Sequence, residues 1–118
     1  MPIWKRTACP ISTTLDYLGD KWTILVLRDL FRGKTRFCEF TESPEGIPTN
    51  ILTDRLKRLA DAGLVERSPY QDHPVRYAYR LTPRGEAFLP VLQEICRWAN
   101  QEFPETIVPP PPFRMREA

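Results

Sequence analysis

The sequence predicts a mainly α-helical domain carrying one small β-hairpin, an α+β fold, and three stretches support that expectation. Leu52, Leu56 and Leu59 recur at helical spacing with polar residues between them. Val75, Tyr77, Tyr79 and Leu81 alternate with Arg76, Ala78 and Arg80, the period of a half-buried strand. The run "KWTILVLRDLF" is apolar almost all the way round, as suits a helix enclosed by its neighbours.

Taken in order, a short helix over about 12–18 comes first. Ile11, Leu15 and Leu18 form its stripe, and Thr13 and Asp16 have the spacing of a capping box. Asp20 caps the enclosed helix, which is the hub of the core and ends at Gly33. After the extended piece "TRF", "FCEFTES" has room for two helical turns before Pro44 and Gly46 interrupt it. In the next helix, Pro48 suits the first turn, where its missing N–H is not needed. Gly63 suits the left-handed position past its end, which spaces Leu59 and Leu64 for the hydrophobic contact of a Schellman cap. The runs "LVERSPY" and "VRYAYRL" flank a turn at "QDHP", a hairpin from Leu64 to Leu81 with Pro69 near the end of its strand. Thr82 and Pro83 start a long helix to about Phe103, kinked at Pro90. Helix, helix, short strand, helix, helix, hairpin, helix is the order of a winged helix-turn-helix, whose second helix enters the DNA major groove.

Composition narrows the function classes. At 118 residues the chain fits one domain, 1–103, followed by a Pro-rich tail, 104–118. In "IVPPPPFRMREA" four consecutive rings forbid a helix and favour an extended or disordered, solvated segment. The hydrophobic share of 42% and charged share of 27% are ordinary for a globular protein. No apolar run is long enough for a bilayer and the N-terminus lacks a secretory core, so a cytoplasmic location without membrane contact is expected. Cys9, Cys38 and Cys96 are scattered and odd in number, which argues for free thiols. They and the single histidine, His73, lack zinc-ligand spacing, and there is no glycine-rich phosphate loop. One loop histidine leaves little for nucleophilic catalysis, so no metal, no cofactor and no enzymatic activity are expected. The net charge of +2 is small for a nucleic-acid partner. Its distribution says more: between Pro48 and Arg84 seven basic residues stand against four acidic ones.

On the helix opened by Pro48 the leucines take one side, while Asn50, Thr53, Asp54 and Lys57 project from the other, with Thr49 near the first turn. Asn can pair with adenine, Thr can touch a thymine methyl, and Lys can reach guanine or phosphate. A merely solvated amphipathic helix is the alternative, and for any single helix it is the commoner case. The hairpin argues for double-stranded DNA: Arg76 and Arg80 stand opposite the tyrosines, and His73 lies at the tip. They would flank the helix with phosphate contacts. His73 reads equally as an exposed turn residue. Arg55 is expected to reach phosphate, with pairing to a nearby carboxylate as its alternative, and Arg58 reads either way. In the last helix Phe88, Leu89, Val91, Leu92, Ile95, Cys96, Trp98, Ala99 and Phe103 spread over more surface than one small domain can cover, as a dimer seam requires. A deep monomer core is the other reading. Two copies would address a roughly palindromic operator.

The segments "CP", "TLDYLGDKWTILVLRDL", "GKTRFCEF", "GIPTNILTDRLKRLADAGLVER", "YAYRLTPRGEAFLPVL" and "ICRWA" resemble the HxlR-type transcriptional regulators, in order, from about Cys9 to Ala99. The resemblance implies a bacterial-type homodimeric DNA-binding regulator, with the helix from Pro48 to Ala62 in the major groove and the 64–81 hairpin as the wing. It also implies a dimer built from the N-terminal segment and the last helix, which would put Leu89, Leu92, Ile95, Cys96, Trp98 and Ala99 at the seam. Some relatives use an N-terminal cysteine to sense oxidants or electrophiles. Cys9 is the matching position, with Lys5 and Arg6 nearby and a helix start after it, features that favour a thiolate. The alternative for Cys9 is a small packing residue at the seam. Cys38 and Cys96 lie on apolar helical stripes and are expected in the core. Pro48 stands where such proteins commonly have a hydroxyl cap, which puts the first contacts of the helix in doubt. A small-molecule effector is compatible with the dimer seam, although no motif signals one. The rival function is a winged-helix protein-interaction module without sequence-specific DNA binding. Salt separates the two, because phosphate contacts make affinity fall steeply as salt rises.

Overall fold

Leu18, Val26, Leu27, Leu30, Phe40, Leu52, Leu56, Leu59, Leu64 and Val65 meet in one core in the computed structural model, which describes residues 6–114. The elements around it are α1 (Pro10–Leu18), α2 (Thr23–Phe31), α3 (Phe37–Thr41), α4 (Thr49–Asp61), β1 (Val65–Asp72), β2 (Val75–Leu81), α5 (Pro83–Glu86) and α6 (Leu89–Glu102). Each fully buried leucine contributes on the order of 2 kcal/mol of transfer free energy. α4 packs on α2, α3 and β1, so the core lies directly beneath it.

β1 and β2 form an antiparallel pair running from Val65 opposite Leu81 to Asp72 opposite Val75. Arg36 bridges to Ala78, and the Tyr79 N–H donates to the Thr35 carbonyl at 2.7 Å, so the extended piece before α3 lies along β2. The alternation of β2 survives at Tyr77, Tyr79 and Leu81, which are half-buried, whereas Val75 at the turn end is exposed.

The ends of α4 follow from its punctuation. Gly63 takes φ +78°. The Leu64 N–H then donates to the Leu59 carbonyl at 2.9 Å and the Gly63 N–H to that of Ala60 at 3.0 Å, the two bonds of a Schellman cap. Pro48 falls one position earlier than expected, at the N-cap, and brings no side-chain acceptor. Gly33, at φ +92°, ends α2 as expected.

Several boundaries differ from the sequence expectation. α1 starts at Pro10, with Cys9 as N-cap, so Thr13 and Asp16 form no capping box; Asp16 instead pairs with Arg6 at 2.7 Å. Of the α1 stripe only Leu18 is buried, while Ile11 and Leu15 are exposed. Pro69 lies within β1, opposite Tyr77, and the ladder slips by one residue between Pro69 and Gln71. That irregularity accommodates a residue with no N–H to donate. The turn narrows to His73 and Pro74.

The last helix is broken rather than kinked. A proline ring collides with the carbonyl four residues back, which for Pro90 is that of Glu86, and α5 ends at Glu86. Pro90 then occupies the first turn of α6, where its missing N–H costs nothing. Nor is the stretch from 104 to 114 a free extension. Phe113 is 3% exposed, stands edge-on to Phe31 at 6.3 Å, and lies beneath the Arg32 guanidinium. The Gln93 amide donates to the Pro112 carbonyl at 2.8 Å. The prolines do forbid a helix, but they carry an aromatic ring that the body of the domain buries. Residues 115–118 lie outside the described residues.

One glycine is fixed by packing rather than by backbone freedom. A Cβ on Gly85 would lie 2.1 Å from the Leu64 carbonyl oxygen, where α5 meets the end of α4. Gly85→Ala is therefore expected to lower stability by about 1–3 kcal/mol through overpacking, read as a drop in thermal midpoint.

Candidate nucleic-acid interface

α3 and α4 are the two helices of the helix-turn-helix, and a buried polar network fixes the turn between them. Asp29 on α2 is 3% exposed. It accepts from Arg28 Nε at 3.1 Å and Nη2 at 3.0 Å, accepts the Ser43 hydroxyl, and has Lys34 Nζ at 3.8 Å. Arg28 continues to both carboxylate oxygens of Glu45, at 2.7 and 2.8 Å, and Lys34 donates to Ser43 at 2.8 Å. Paired with Arg28, the Glu45 carboxyl is held down at about 2, so it stays ionised throughout the neutral range. Residues 43 and 45 are thereby tied to α2, and the entry to α4 is set. An isolated reading of α2 as apolar all round conceals this network; Asp29 beside Arg28, within the apolar run, is the signal that points to it.

α4 turns Leu52, Leu56 and Leu59 into the core at no more than 1% exposure and leaves its other flank bare. Thr49, Asn50, Thr53, Asp54 and Lys57 are all exposed. At thirteen residues the helix is about 20 Å long, within the reach of a major groove. The Thr53 hydroxyl donates back to the Thr49 carbonyl at 2.9 Å, which leaves its methyl and an oxygen lone pair to the outside. Asp54 lies by Arg55 and by Arg58, 3.9 Å from the latter, so its charge is locally balanced. Among the described residues Lys57 makes no ion pair.

Arg55 departs from the phosphate role considered for it. It lies at the edge of the leucine stripe, is half-buried, and donates to Asp20 Oδ1 at 3.1 Å as well as to Asp54. Asp20 also accepts from the N–H groups of Trp22, at 2.8 Å, and Thr23, at 3.0 Å, and from the Thr23 hydroxyl. Its cap is real, although the regular helix begins only at Thr23. Burial raises the Asp20 carboxyl, but the bonds from Thr23, Trp22 and Arg55 outweigh it and bring it to about 2. Arg55 therefore ties α4 to the start of α2. Thirty-five residues separate the partners, which is why local sequence does not reveal the pair.

On the hairpin, Arg76 and Arg80 share the face opposite the tyrosines, and His73 is exposed at the turn. Arg76 makes no ion pair among the described residues. Arg80 pairs across the strands with Glu66, and both side chains are largely exposed. Such a pair is worth little and can yield to a phosphate. Two further cations belong to this region. Arg36 stacks over Tyr70 at 4.2 Å and Arg67 over Tyr77 at 4.1 Å, which holds both guanidinium groups against the hairpin. Arg84, counted among the basic residues, is spent internally: it donates to the Ala62 carbonyl at 2.9 Å, at the end of α4.

The residues expected at a seam divide into two groups. Leu92 is 5% exposed and belongs to the chain's own core, which corrects its assignment to an interface. Leu89, Cys96 and Ala99 are half-buried, whereas Val91, Ile95 and Trp98 are exposed on the outer side of α6 and Phe103 is exposed at its C-cap. All three cysteines are free. Cys9 is exposed at the N-cap of α1; Lys5 lies outside the described residues. Cys38 is exposed and Cys96 half-buried, so neither is a core residue as expected; burial pushes the Cys96 thiol up while Arg32 opposes it. In a five-residue helix such as α3 one side of the stripe simply remains uncovered. Among the described residues no group of side chains could hold a metal ion, and no helix is long and apolar enough to cross a membrane.

The same architecture and sequence pattern recur in known proteins. An HTH-type transcriptional regulator of Synechocystis is 40% identical over 98 residues, covering 80% of this chain and 73% of its own. A second, from Mycobacterium tuberculosis, is 34% identical over 100 residues, 85% of this chain and 63% of its own, so this chain spans only part of that relative. The reduced form of the transcriptional regulator YodB from Bacillus subtilis superposes with a TM-score of 0.68 at 37% identity, over 84% of this chain and 97% of that one. The redox regulator HypR in its reduced form superposes at 0.72 with 31% identity, over 84% of this chain and the whole of that one. The HxlR-like helix-turn-helix family matches residues 17–106, which include α2 to α6 in full, and the chain belongs to that family.

Proposed function

We propose that the protein is a sequence-specific DNA-binding transcriptional regulator that acts as a homodimer on a palindromic operator. The observation that carries this reading is α4: a helix pinned by three buried leucines whose opposite flank offers Asn50, Thr53 and Lys57 to solvent, beside an arginine-bearing hairpin. Asn50 and Thr53 read base edges and Lys57 reaches guanine or phosphate, with Thr49 and Asp54 bordering them. Arg76, Arg80 and His73 contact the backbone alongside and fix the register without reading sequence. With no side-chain cap from Pro48, the N–H groups of the first turn of α4 remain available to a phosphate. The protein works in the cytoplasm, without cofactor or catalysis.

Binding to a fragment of its own intergenic DNA, followed by fluorescence anisotropy, tests the reading. The logarithm of affinity should fall linearly with the logarithm of salt, by about 0.9 for each phosphate neutralised, and random DNA should compete poorly. Affinity indifferent to salt, with no sequence preference, would instead indicate a protein-interaction module.

Cys9 is the thiol through which an oxidant or electrophile would act, because it is exposed and follows Arg6 at the start of α1. Diamide treatment should change operator binding by the protein and leave Cys9→Ser unaffected. An undiminished response in Cys9→Ser makes Cys9 a packing residue only.

A further inference from the structure

A cleft of about 360 Å³ opens between α2, α6 and the folded-back segment 104–114, and no residue of α4 lines it. Its walls are apolar: Ile24 and Leu25 from α2, Leu92 and Ile95 from α6, and Ile107 and Phe113 from the returning segment. The third wall is firmly held. Asn100 donates to the Ile107 carbonyl and to the Thr106 hydroxyl, each at 2.8 Å, and Gln93 holds Pro112. The family match ends at residue 106, so Ile107 and Phe113 lie outside the matched residues.

Charge at the mouth is unequal. Glu45 and Arg28 line the mouth as a bonded pair, Arg28 also holding Asp29, whereas Arg32, on the same rim, acts on Glu45 only at longer range and makes no ion pair among the described residues. Its guanidinium carbon lies 5.7 Å from the centre of the Phe113 ring, on the surface of the cleft. An apolar cleft of this size with one uncommitted guanidinium suits a small molecule that has an apolar body and a single anionic head. Arg also matches the planar fork of a carboxylate better than any other side chain does.

We infer that this cleft is an effector site for a small apolar carboxylate, with Arg32 pairing the carboxylate and the α2, α6 and 107–113 walls enclosing the hydrocarbon. Ile95 is shared between the cleft and the exposed outer side of α6, so an occupant would touch the surface through which a second copy is proposed to dock. The inference stands without DNA binding, since it concerns a different face.

Isothermal titration with octanoate, octanol and octylamine, using the full chain, is the test. Octanoate is expected to saturate one site per chain and to bind at least about tenfold more tightly than octanol, with octylamine weakest. Arg32→Gln should remove the octanoate preference and leave octanol binding unchanged. Phe113→Ala should weaken octanoate and octanol alike. Arg97→Gln, a charge on α6 outside the cleft, serves as the control and should leave all three unchanged; thermal melts establish that each variant is folded. No saturable octanoate binding, equal binding of octanoate and octanol, or an octanoate affinity unmoved by Arg32→Gln overturns the inference. So does octanoate binding only to protein diluted until it is monomeric, which would show that a second copy covers the cleft.

Discussion

Replacing Asn50 and Thr53 together by alanine is expected to reduce the preference for operator over random DNA by one to three orders of magnitude while leaving the fold intact. Each good contact to a base edge is worth about 1–3 kcal/mol of discrimination, and the two sites are close enough to be read together by one segment of groove. Stability should hardly move, because both side chains are exposed and the only internal bond lost is that of the Thr53 hydroxyl to Thr49. Affinity for random DNA should also persist, since the substitutions leave the phosphate contacts proposed for the hairpin in place. Competition anisotropy with both DNAs measures the ratio directly. A ratio that stays at the parental value would remove α4 as the reading helix. By contrast, Arg55→Ala should weaken both DNAs alike and lower stability, because Arg55 holds α4 to Asp20.

How much of this could be read from sequence depended on the range of the interactions concerned. The course of α4 was legible because its signals are local: three leucines in register, and a glycine whose positive φ creates the Schellman bonds to Leu59 and Ala60. The β2 alternation was legible for the same reason. Contacts made across the chain were not. Arg55 looks like a free cation until Asp20 is brought beside it, and Asp29 looks misplaced in an apolar helix until Ser43, Lys34 and Arg28 surround it. Phe113 follows a run of prolines that forbids regular structure, and nothing in those residues announces the slot beside Phe31 that receives its ring. The broken last helix lies between these cases. Pro90 marks a disturbance, but that the chain stops rather than kinks shows only in the structure, where α5 ends at Glu86, the residue whose carbonyl the Pro90 ring would meet.

Trp98→Glu is expected to convert the proposed dimer into a folded monomer and to weaken operator binding by about two to four orders of magnitude. Trp98 is 56% exposed, stands edge-on to Phe103 at 5.6 Å, and shares the outer side of α6 with Ile95 and Val91; Ile11 and Leu15 of α1 are exposed as well. Apolar side chains left uncovered on two helices favour a pair that buries them over two lone chains, provided the two surfaces meet. A carboxylate in the middle of such a seam would be desolvated and face its own symmetry mate. The loss in DNA affinity follows from geometry: two linked copies engage the second half-site as an intramolecular event, and separate copies lose that advantage. Sedimentation velocity should show the change in mass, while binding to an isolated half-site should stay the same. Leu92→Ala, six residues earlier on α6, should behave oppositely, because Leu92 is buried within its own chain and its loss creates a cavity costing about 2–5 kcal/mol. If Trp98→Glu still sediments as a dimer and binds the full operator normally, the seam lies elsewhere; if it unfolds, Trp98 belongs to the same core as Leu92.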